Sequence, residues 1–539
     1  MAKKIMAKGE EARSYLLQGF KEIYDAVSIT AGPKGRWVNI GTPFRSRCKL
    51  TKDGVTVARS IELDGFVNEG CKIVQQAANV QLDKAGDGTT ANVILTYAIA
   101  REGLRDVSAG ANPQDLKKGI ELAVSKCTEY IKEKAKPIKS EEEVYQVTTI
   151  SANSDTELGK LVSQAIKDAG EYGLVDVDDS KSSESYIESI AGYRIDKGFS
   201  SAYYATNEKG YAEYDNPAVI LVDGKVTNLQ AVAQLVSTLY SEGRAVVFLA
   251  EHFDDLIKQV FLENRFNAGL KIIPIEISQY DKKYLEDISL LTNATLITEE
   301  MGMDITNWNT NNIGTCSKVR ATKNQITFIG FPKSNEEKVQ EQINKLINQI
   351  DEEKENEDNA YEIQKMKKRL GYLTNGVHII KVGGINEVEV SEKKDRIDDA
   401  LHAGYAAREE GIVPGGGIIY LRILSDGVLD NLKGNNADQD RGIDIVRRAL
   451  VYPTTIIVKN AGERAEWVVG TIVEGDYKSK FNYGYNAQNG EFGDMYKMGI
   501  IDPAKVSRIA LESAAKSACD LLTTELIIID KPEDKKADK

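Results

Sequence analysis

Apolar residues recur at helical spacing from the start of the chain. Leu16, Phe20, Ile23 and Val27 fall on one face of residues 10–28, and helical patterns return over 69–81 and 89–104. The first third therefore reads as mostly helical, with a short extended stretch after the first helix. The pattern changes in the middle. Residues 217–222, 245–250 and 271–277 are short apolar runs rich in Val, Ile and Leu, separated by helical patterns over 228–241 and 254–267. Such alternation predicts a parallel sheet in an α/β domain of its own. After Pro332, a charged helix carries Val339, Ile343, Leu346 and Ile350 on one face. A polar stretch at 355–359 interrupts it and a second helix follows over 361–370, giving a helical hairpin whose charges read as a solvated face. From about Ile412 the helical pattern returns. The chain ends in Lys531-Pro532-Glu533-Asp534-Lys535-Lys536, a segment expected to be disordered. The fold class is thus multidomain α+β: the two ends pair into one mostly helical domain, and the α/β middle is carried on a connector.

Composition narrows the function. A chain of 539 residues exceeds one compact core, and two to four domains are expected. The net charge of −13 argues against a nucleic-acid partner, which would need a basic face. It leaves nucleotide binding open, because that needs only a local nest of N–H groups and a metal. No apolar run reaches the roughly 18 residues of a membrane span. The basic start, Met1-Ala2-Lys3-Lys4, leads into an amphipathic helix, so no signal peptide and a cytoplasmic location are expected. Cys48, Cys71, Cys127, Cys316 and Cys519 are scattered without a C-x-x-C pair and read as reduced thiols. His252, His378 and His402 read as structural or solvated.

Four glycine-bearing segments carry candidate chemistry. Thr30-Ala31-Gly32-Pro33-Lys34-Gly35-Arg36 ends the first helix and brings two cations, although taken alone a helix C-cap with a turn accounts for it better. Gly86-Asp87-Gly88-Thr89-Thr90 stands directly before a helix. There, free N–H groups and the helix dipole favour phosphate, the threonines add hydroxyls, and Asp87 can hold Mg²⁺. The plainer alternative is that Asp or Thr simply caps the helix, and the Walker pattern is absent. Pro414-Gly415-Gly416-Gly417 suits close approach to a ligand or an interdomain turn. Asn482-Tyr483-Gly484-Tyr485-Asn486-Ala487 and Ile500-Ile501-Asp502-Pro503 read as ordinary turns, or as residues for a base edge and ribose hydroxyls. Asp53 and Asp399 are carboxylates that could orient a hydrolytic water.

In this order, the segments resemble the group I chaperonins, the GroEL-like family. The likeness runs from Ala2 to about Pro532. It includes Ile150-Ser151-Ala152-Asn153-Ser154-Asp155, Glu299-Glu300-Met301-Gly302, Glu392-Lys393-Lys394, Asp399-Ala400-Leu401-His402-Ala403 and Asp502-Pro503-Ala504-Lys505-Val506. The resemblance implies an equatorial domain from 1–134 and 411–530, an intermediate hinge from 135–190 and 378–410, an apical domain over 191–377, and a tail at 531–539. It implies a subunit of seven-membered rings that captures unfolded protein clients and folds them in a cavity by ATP hydrolysis, with Mg²⁺ and K⁺ as cations and neither a membrane nor nucleic acid as partner. Thr30, Ala31, Gly32, Pro33, Lys52, Gly88, Thr89, Thr90, Ala91, Ile150, Ser151, Gly416, Asn486, Ala487 and Asp502 would surround ATP. Asp87 would bind Mg²⁺, Asp399 would orient water, and Asp53 would support it. Phe199, Tyr203, Tyr204, Ala233, Val236, Ile257, Phe261 and Leu262 would present apolar surface to clients, the alternative being apical core.

Departures from the family mark a divergent member, of the accessory or virus-encoded kind. Ala91 replaces a third threonine, Trp37 replaces a small polar residue, and no Gly-Met repeat closes the sequence. Where the rings usually meet through ion pairs, Arg105 faces Ala437, and Thr455 and Arg464 stand for a base and an acid. Weak stacking and single rings follow as an expectation. Ala233 offers little apolar area to a co-chaperonin lid. A ring-forming structural protein with reduced folding activity is the competing reading, which the retention of Asp53, Asp87 and Asp399 disfavours. No acceptor-substrate constellation supports a metabolic kinase.

Overall fold

The computed structural model describes residues 4–41, 49–170, 173, 175–180, 182–190, 192–206, 211–298, 302–303, 305–307, 312–353, 360–374 and 376–530. Cys48, Glu299-Glu300-Met301, the polar stretch at 355–359 and the tail at 531–539 lie outside these. The chain divides into two compact units: Met1–Gln164, Val177–Tyr186 and Lys381–Lys539 form the first, and Ala165–Asp176 and Ile187–Ile380 the second.

In the first unit the two chain ends meet. Strand Lys4–Lys8 pairs antiparallel with Leu526–Asp530, Lys4 opposite Asp530 and Lys8 opposite Leu526. The core is built from helices Gly9–Ser28, Phe66–Ala85, Thr89–Ser108, Pro113–Lys134, Ala437–Ala449 and Ala504–Thr523. Leu16, Phe20, Ile23 and Val27 are all buried, as their spacing requires. The last helix is buried on most of its faces, and Ala510, Ala514, Ala515 and Ala518 let its neighbours approach closely. At the crossing of the first two long helices, a Cβ on Gly19 would stand 2.2 Å from the Val67 carbonyl oxygen, and one on Gly70 2.3 Å from that of Leu16. Only glycine fits such backbone-to-backbone contact.

The second unit holds the parallel sheet. Its strands run in the order Ile272–Glu276, Val246–Phe253, Ala218–Val226 and Leu296–Thr298, all parallel, and Gly314–Thr315 adds antiparallel to Ala218–Val226. Helices Leu229–Ser241 and Asp255–Ala268 make the crossovers that the alternation predicts. A four-stranded antiparallel sheet follows the order Gly192–Ile195, Ile326–Ile329, Lys318–Ala321, Ala212–Asp215. Helices Glu336–Glu353 and Ala360–Thr374 form the hairpin, with Ile343, Leu346 and Ile350 packed against Met366 and Leu370.

The hairpin is pinned by a buried ion pair. Arg369 binds Asp287 through Nε at 2.7 Å and a terminal nitrogen at 2.7 Å. The same carboxylate accepts from the Tyr193 hydroxyl at 2.5 Å and from Gln342 Nε2 at 3.2 Å. Burial and the adjoining Asp287 charge push the Tyr193 hydroxyl well above its usual pKa, so it donates.

Candidate nucleotide site

A cavity of about 460 Å³ opens within the first unit, a size that suits a nucleotide. All the residues proposed to surround nucleotide, metal and water line it: Thr30, Ala31, Gly32, Pro33, Lys52, Asp53, Asp87, Gly88, Thr89, Thr90, Ala91, Ile150, Ser151, Asp399, Gly416, Asn486, Ala487 and Asp502. They come from both chain ends and from the helices Glu141–Ser151 and Glu387–Glu410.

The Asp87 turn is shaped by two glycines in the left-handed region, Gly86 at φ 72° and Gly88 at φ 84°. Gly88 precedes the helix Thr89–Ser108, and no side chain caps that helix start. The capping alternative is therefore corrected. The Asp87 carboxylate accepts instead from the Gly88 N–H and the Ser151 hydroxyl. The first-turn N–H groups, with the dipole behind them, face the cavity as an anion cradle. Gly54 completes this wall. A Cβ there would stand 2.6 Å from Thr90 Oγ1 and 2.9 Å from Thr89 Oγ1, so glycine allows the Asp53 segment to lie against both hydroxyls. Asp53 itself caps the helix Gly54–Ser60, accepting from Val55 N at 3.1 Å and Thr56 N at 2.9 Å. That fixes its rotamer.

The opposite wall is held by side-chain ties. Asn460 Nδ2 donates to the Ser28 and Ala31 carbonyls at 2.9 and 3.0 Å, anchoring the Thr30–Pro33 loop to the helix Tyr452–Asn460. Asn486 Oδ1 accepts from Gln488 N at 2.9 Å, which leaves its amide NH₂ as the donor end. Asn153 and Ser154, at φ 58° and 65°, form a left-handed pair beside Ser151, conformations that cost non-glycine residues energy and cluster at functional sites.

Acidic groups crowd the cavity. Burial pushes the Asp399 carboxyl well above its ordinary pKa, and the charges of Asp87 and Asp53 push it further. Burial likewise raises Asp87, against the opposing hydrogen bonds from Ser151 and Gly88. Asp502 is raised to about 6 by burial and by Asp87, although the Gly416 and Gly417 N–H groups favour its charge. Among the described residues, no three His, Cys, Asp or Glu side chains gather as a metal-ligand set. A hard cation here would therefore take the Asp87 carboxylate and fill its shell from phosphate and water, as Mg²⁺ commonly does. The excess of negative charge and the free N–H cradle fit such a pair of ligands together.

Sequence reasoning missed part of the lining. Asp395 lies one turn before Asp399 on the same helix, a spacing visible in the sequence, and its carboxylate pairs with Lys49 at 3.1 Å. Glu392 and Arg396 of that helix also line the cavity. Pro453, Ile457, Val458, Met498 and Ile500 supply apolar walls, and nothing in the sequence separates them from ordinary core.

The proposed client-facing residues divide. Phe199, Tyr204, Val236, Ile257 and Phe261 are buried in the core of the second unit, so these five side chains offer no capture surface here, a correction to the expectation. The Phe261 ring packs against Phe248 and Phe253 of the sheet, at 6.4 and 5.9 Å between centroids. Tyr203 is 66% exposed, Ala233 is exposed and Leu262 half-buried. Exposed apolar side chains that the sequence did not single out are Leu256, Phe266 and Tyr240, and the Phe266 ring meets Tyr203 edge-on at 5.5 Å. Arg105, proposed for ring contacts, binds the buried Glu102 at 3.1 Å within the chain.

A helical domain from both chain ends, an α/β domain inserted between them, and a nucleotide-sized cavity with a phosphate cradle describe one class of protein. The chain matches the TCP-1/cpn60 chaperonin family over residues 23–532 and belongs to it. Its fold is that of a chaperonin, with equatorial, intermediate and apical domains. Two crystal structures of the chaperonin gp146 from the bacteriophage EL 2 (Pseudomonas aeruginosa), both in the presence of ATP-BeFx, are similar to it. Crystal form I superposes with a TM-score of 0.75 at 22% identity, covering 98% of this chain and 99% of that one. Crystal form II gives 0.72 at 22%, covering 98% and 100%. Among the described residues, no helix is long and apolar enough to cross a membrane.

Proposed function

We propose that this chain is an ATP-hydrolysing, group I-like chaperonin subunit that assembles into rings and captures non-native protein on its apical domain. The observation that carries the reading is the composite cavity, where the Thr89 cradle, Asp87 and Asp399 line one space. The N–H groups of Thr89, Thr90 and Ala91, with the two threonine hydroxyls, hold the phosphates. Lys52 approaches from the cavity edge. Asp87 holds Mg²⁺, which when bound offsets charge on the phosphates. Asp399 orients the attacking water and, once ionised, accepts its proton. Asp53, locked as a helix cap, keeps the Lys52 segment in place. The apolar walls take the base, and Asn486 and Asp502 offer polar contacts to base and ribose. The gp146 structures, prepared with an ATP analogue, support this reading. The segments 135–190 and 378–410 act as the hinge. On the apical domain, Tyr203, Phe266 and Leu256 are the exposed side chains suited to clients without sequence preference.

The test is steady-state ATP hydrolysis by wild type and by Asp399→Ala. Turnover by wild type that falls about 100-fold in the variant is expected. A wild type without turnover under Mg²⁺ and K⁺ would sink the proposal.

A further inference from the structure

Strands Val38–Ile40 and Lys49–Thr51 form an antiparallel hairpin in which Val38 stands opposite Thr51 and Ile40 opposite Lys49. Extending that register by one residue toward the cavity places Trp37 opposite Lys52. Their side chains use the proximity: Lys52 Nζ lies over the Trp37 indole, 5.2 Å from the ring centroid. That distance is within the range of a cation–π interaction. Lys52 lines the cavity, and the next residue is Asp53, fixed as a helix cap. The backbone of Lys52 is therefore held on both sides, by the strand ladder and by the cap. The flexible four-carbon side chain is left to be directed by what it rests on.

The surroundings make that direction matter. Asp53, Asp87 and Asp399 line the same cavity, and a free ammonium would be drawn toward them in competition with Mg²⁺. An indole face attracts the ammonium through its quadrupole, yet carries no charge to trap it when a polyphosphate arrives. Trp37 is 48% exposed, so its large ring is not retained for filling a core.

We propose that Trp37 is a positioning residue for Lys52, holding the ammonium at the cavity edge where the phosphates of a nucleoside triphosphate meet it. This rests on the reading of the cavity as an ATP site. The indole acts on the approach and binding of the anion rather than on the chemical step.

The experiment uses the full chain and compares wild type with Trp37→Phe, Trp37→Leu and Lys52→Met. Trp37→Leu is expected to raise KM for Mg·ATP about three- to tenfold with kcat within about twofold, the size of one partly exposed cation–π contact. Trp37→Phe, which keeps a ring face, should recover most of the loss. Adding Trp37→Leu to Lys52→Met should cause no further loss, because the indole then has no ammonium to hold. In a Trp308→Phe/Trp467→Phe background, the remaining Trp37 emission should shift on addition of Mg·ADP, and Lys52→Met should abolish the shift. Equal KM values for wild type and Trp37→Leu would overturn the inference, as would Phe and Leu variants that lose equally. If wild type neither binds nor hydrolyses ATP, the functional reading fails and this inference falls with it. Wild-type binding with an unaffected Trp37→Leu variant removes only the inference.

Discussion

Two carboxylate sites in this protein answer burial in opposite ways. In the second unit, Asp287 is wholly buried and accepts four hydrogen bonds: two from Arg369, one from Tyr193 and one from Gln342. In the cavity of the first unit, burial raises Asp87, Asp399 and Asp502, and the charge of Asp87 adds to the shifts of the other two. The first is a closed arrangement in which charge serves to fasten the hairpin to the helix Lys283–Thr292. The second holds acidity that the surrounding protein groups do not neutralise, and such imbalance is what a cation-bearing anionic ligand would relieve. Perturbed carboxylates alone do not mark function. Carboxylates perturbed beside an uncapped helix start are where an anionic ligand and its cation fit together.

The contrast is broken most severely at its closed end. Arg369→Met leaves the Asp287 charge buried without its cation and is expected to cost about 3–5 kcal/mol. The loss would appear as faster amide hydrogen exchange across Lys283–Thr292 and Ala360–Thr374, with ATP hydrolysis retained. Pairing it with Asp287→Asn should recover part of the loss, since the stranded charge is then gone. Normal protection in the single variant would mean that the pair contributes nothing to docking of the hairpin.

At the open end the sign reverses. Asp399→Asn should lower hydrolysis about 100-fold while nucleotide binding stays within about threefold. The same variant should melt at a higher temperature without nucleotide, because the fold holds Asp399 against its own ionisation and the amide removes that cost. A lower melting temperature would show that the carboxylate stabilises the apo site.

Asp502 sharpens the same point through pH. Its pKa rises from an unfolded value near 4 to about 6 in the fold. The folded state therefore binds the proton more tightly. The stabilisation this gives is complete below about pH 4 and is lost as pH rises through 6. Between pH 4 and pH 7, nucleotide-free wild type should lose about 2 kcal/mol relative to Asp502→Asn, read from melting curves across that range. Parallel curves for the two proteins would contradict the assignment.

The two sites also differ in how they can be read from sequence. The cavity was legible because its work is done by local backbone devices. Gly86 and Gly88 bracket Asp87 in one turn, and Gly415-Gly416-Gly417 is conspicuous wherever it occurs. The Asp287–Arg369 pair joins residues 82 positions apart with no local signature. Pro453, Ile457 and Met498 read as core because an apolar cavity wall and a core have the same composition. The apical segment shows the limit most plainly. Tyr203 is exposed and its neighbour Tyr204 is buried, a distinction made by a single 3₁₀ turn at Ala202–Tyr204 and invisible to residue type. The parallel sheet, by contrast, followed from its apolar runs, since strands buried on both faces have little freedom in composition.

The smallest change tests whether the cradle works through backbone or hydroxyls. Ala91 sits in the first turn of the Thr89 helix, half-buried and lining the cavity. Ala91→Thr adds a hydroxyl beside those of Thr89 and Thr90, at a propensity cost of about 0.5 kcal/mol that a first-turn position softens. If phosphate is held chiefly by the free N–H groups and the helix dipole, the new hydroxyl adds one more weak donor. KM for Mg·ATP should then fall about two- to threefold, with kcat unchanged and melting within about 0.5 kcal/mol of wild type. A tenfold fall would shift the weight of binding to the hydroxyls and away from the uncapped helix start. A rise in KM would show that the Ala91 methyl leaves room the phosphates need, and that the cradle is fitted by its smallest side chain.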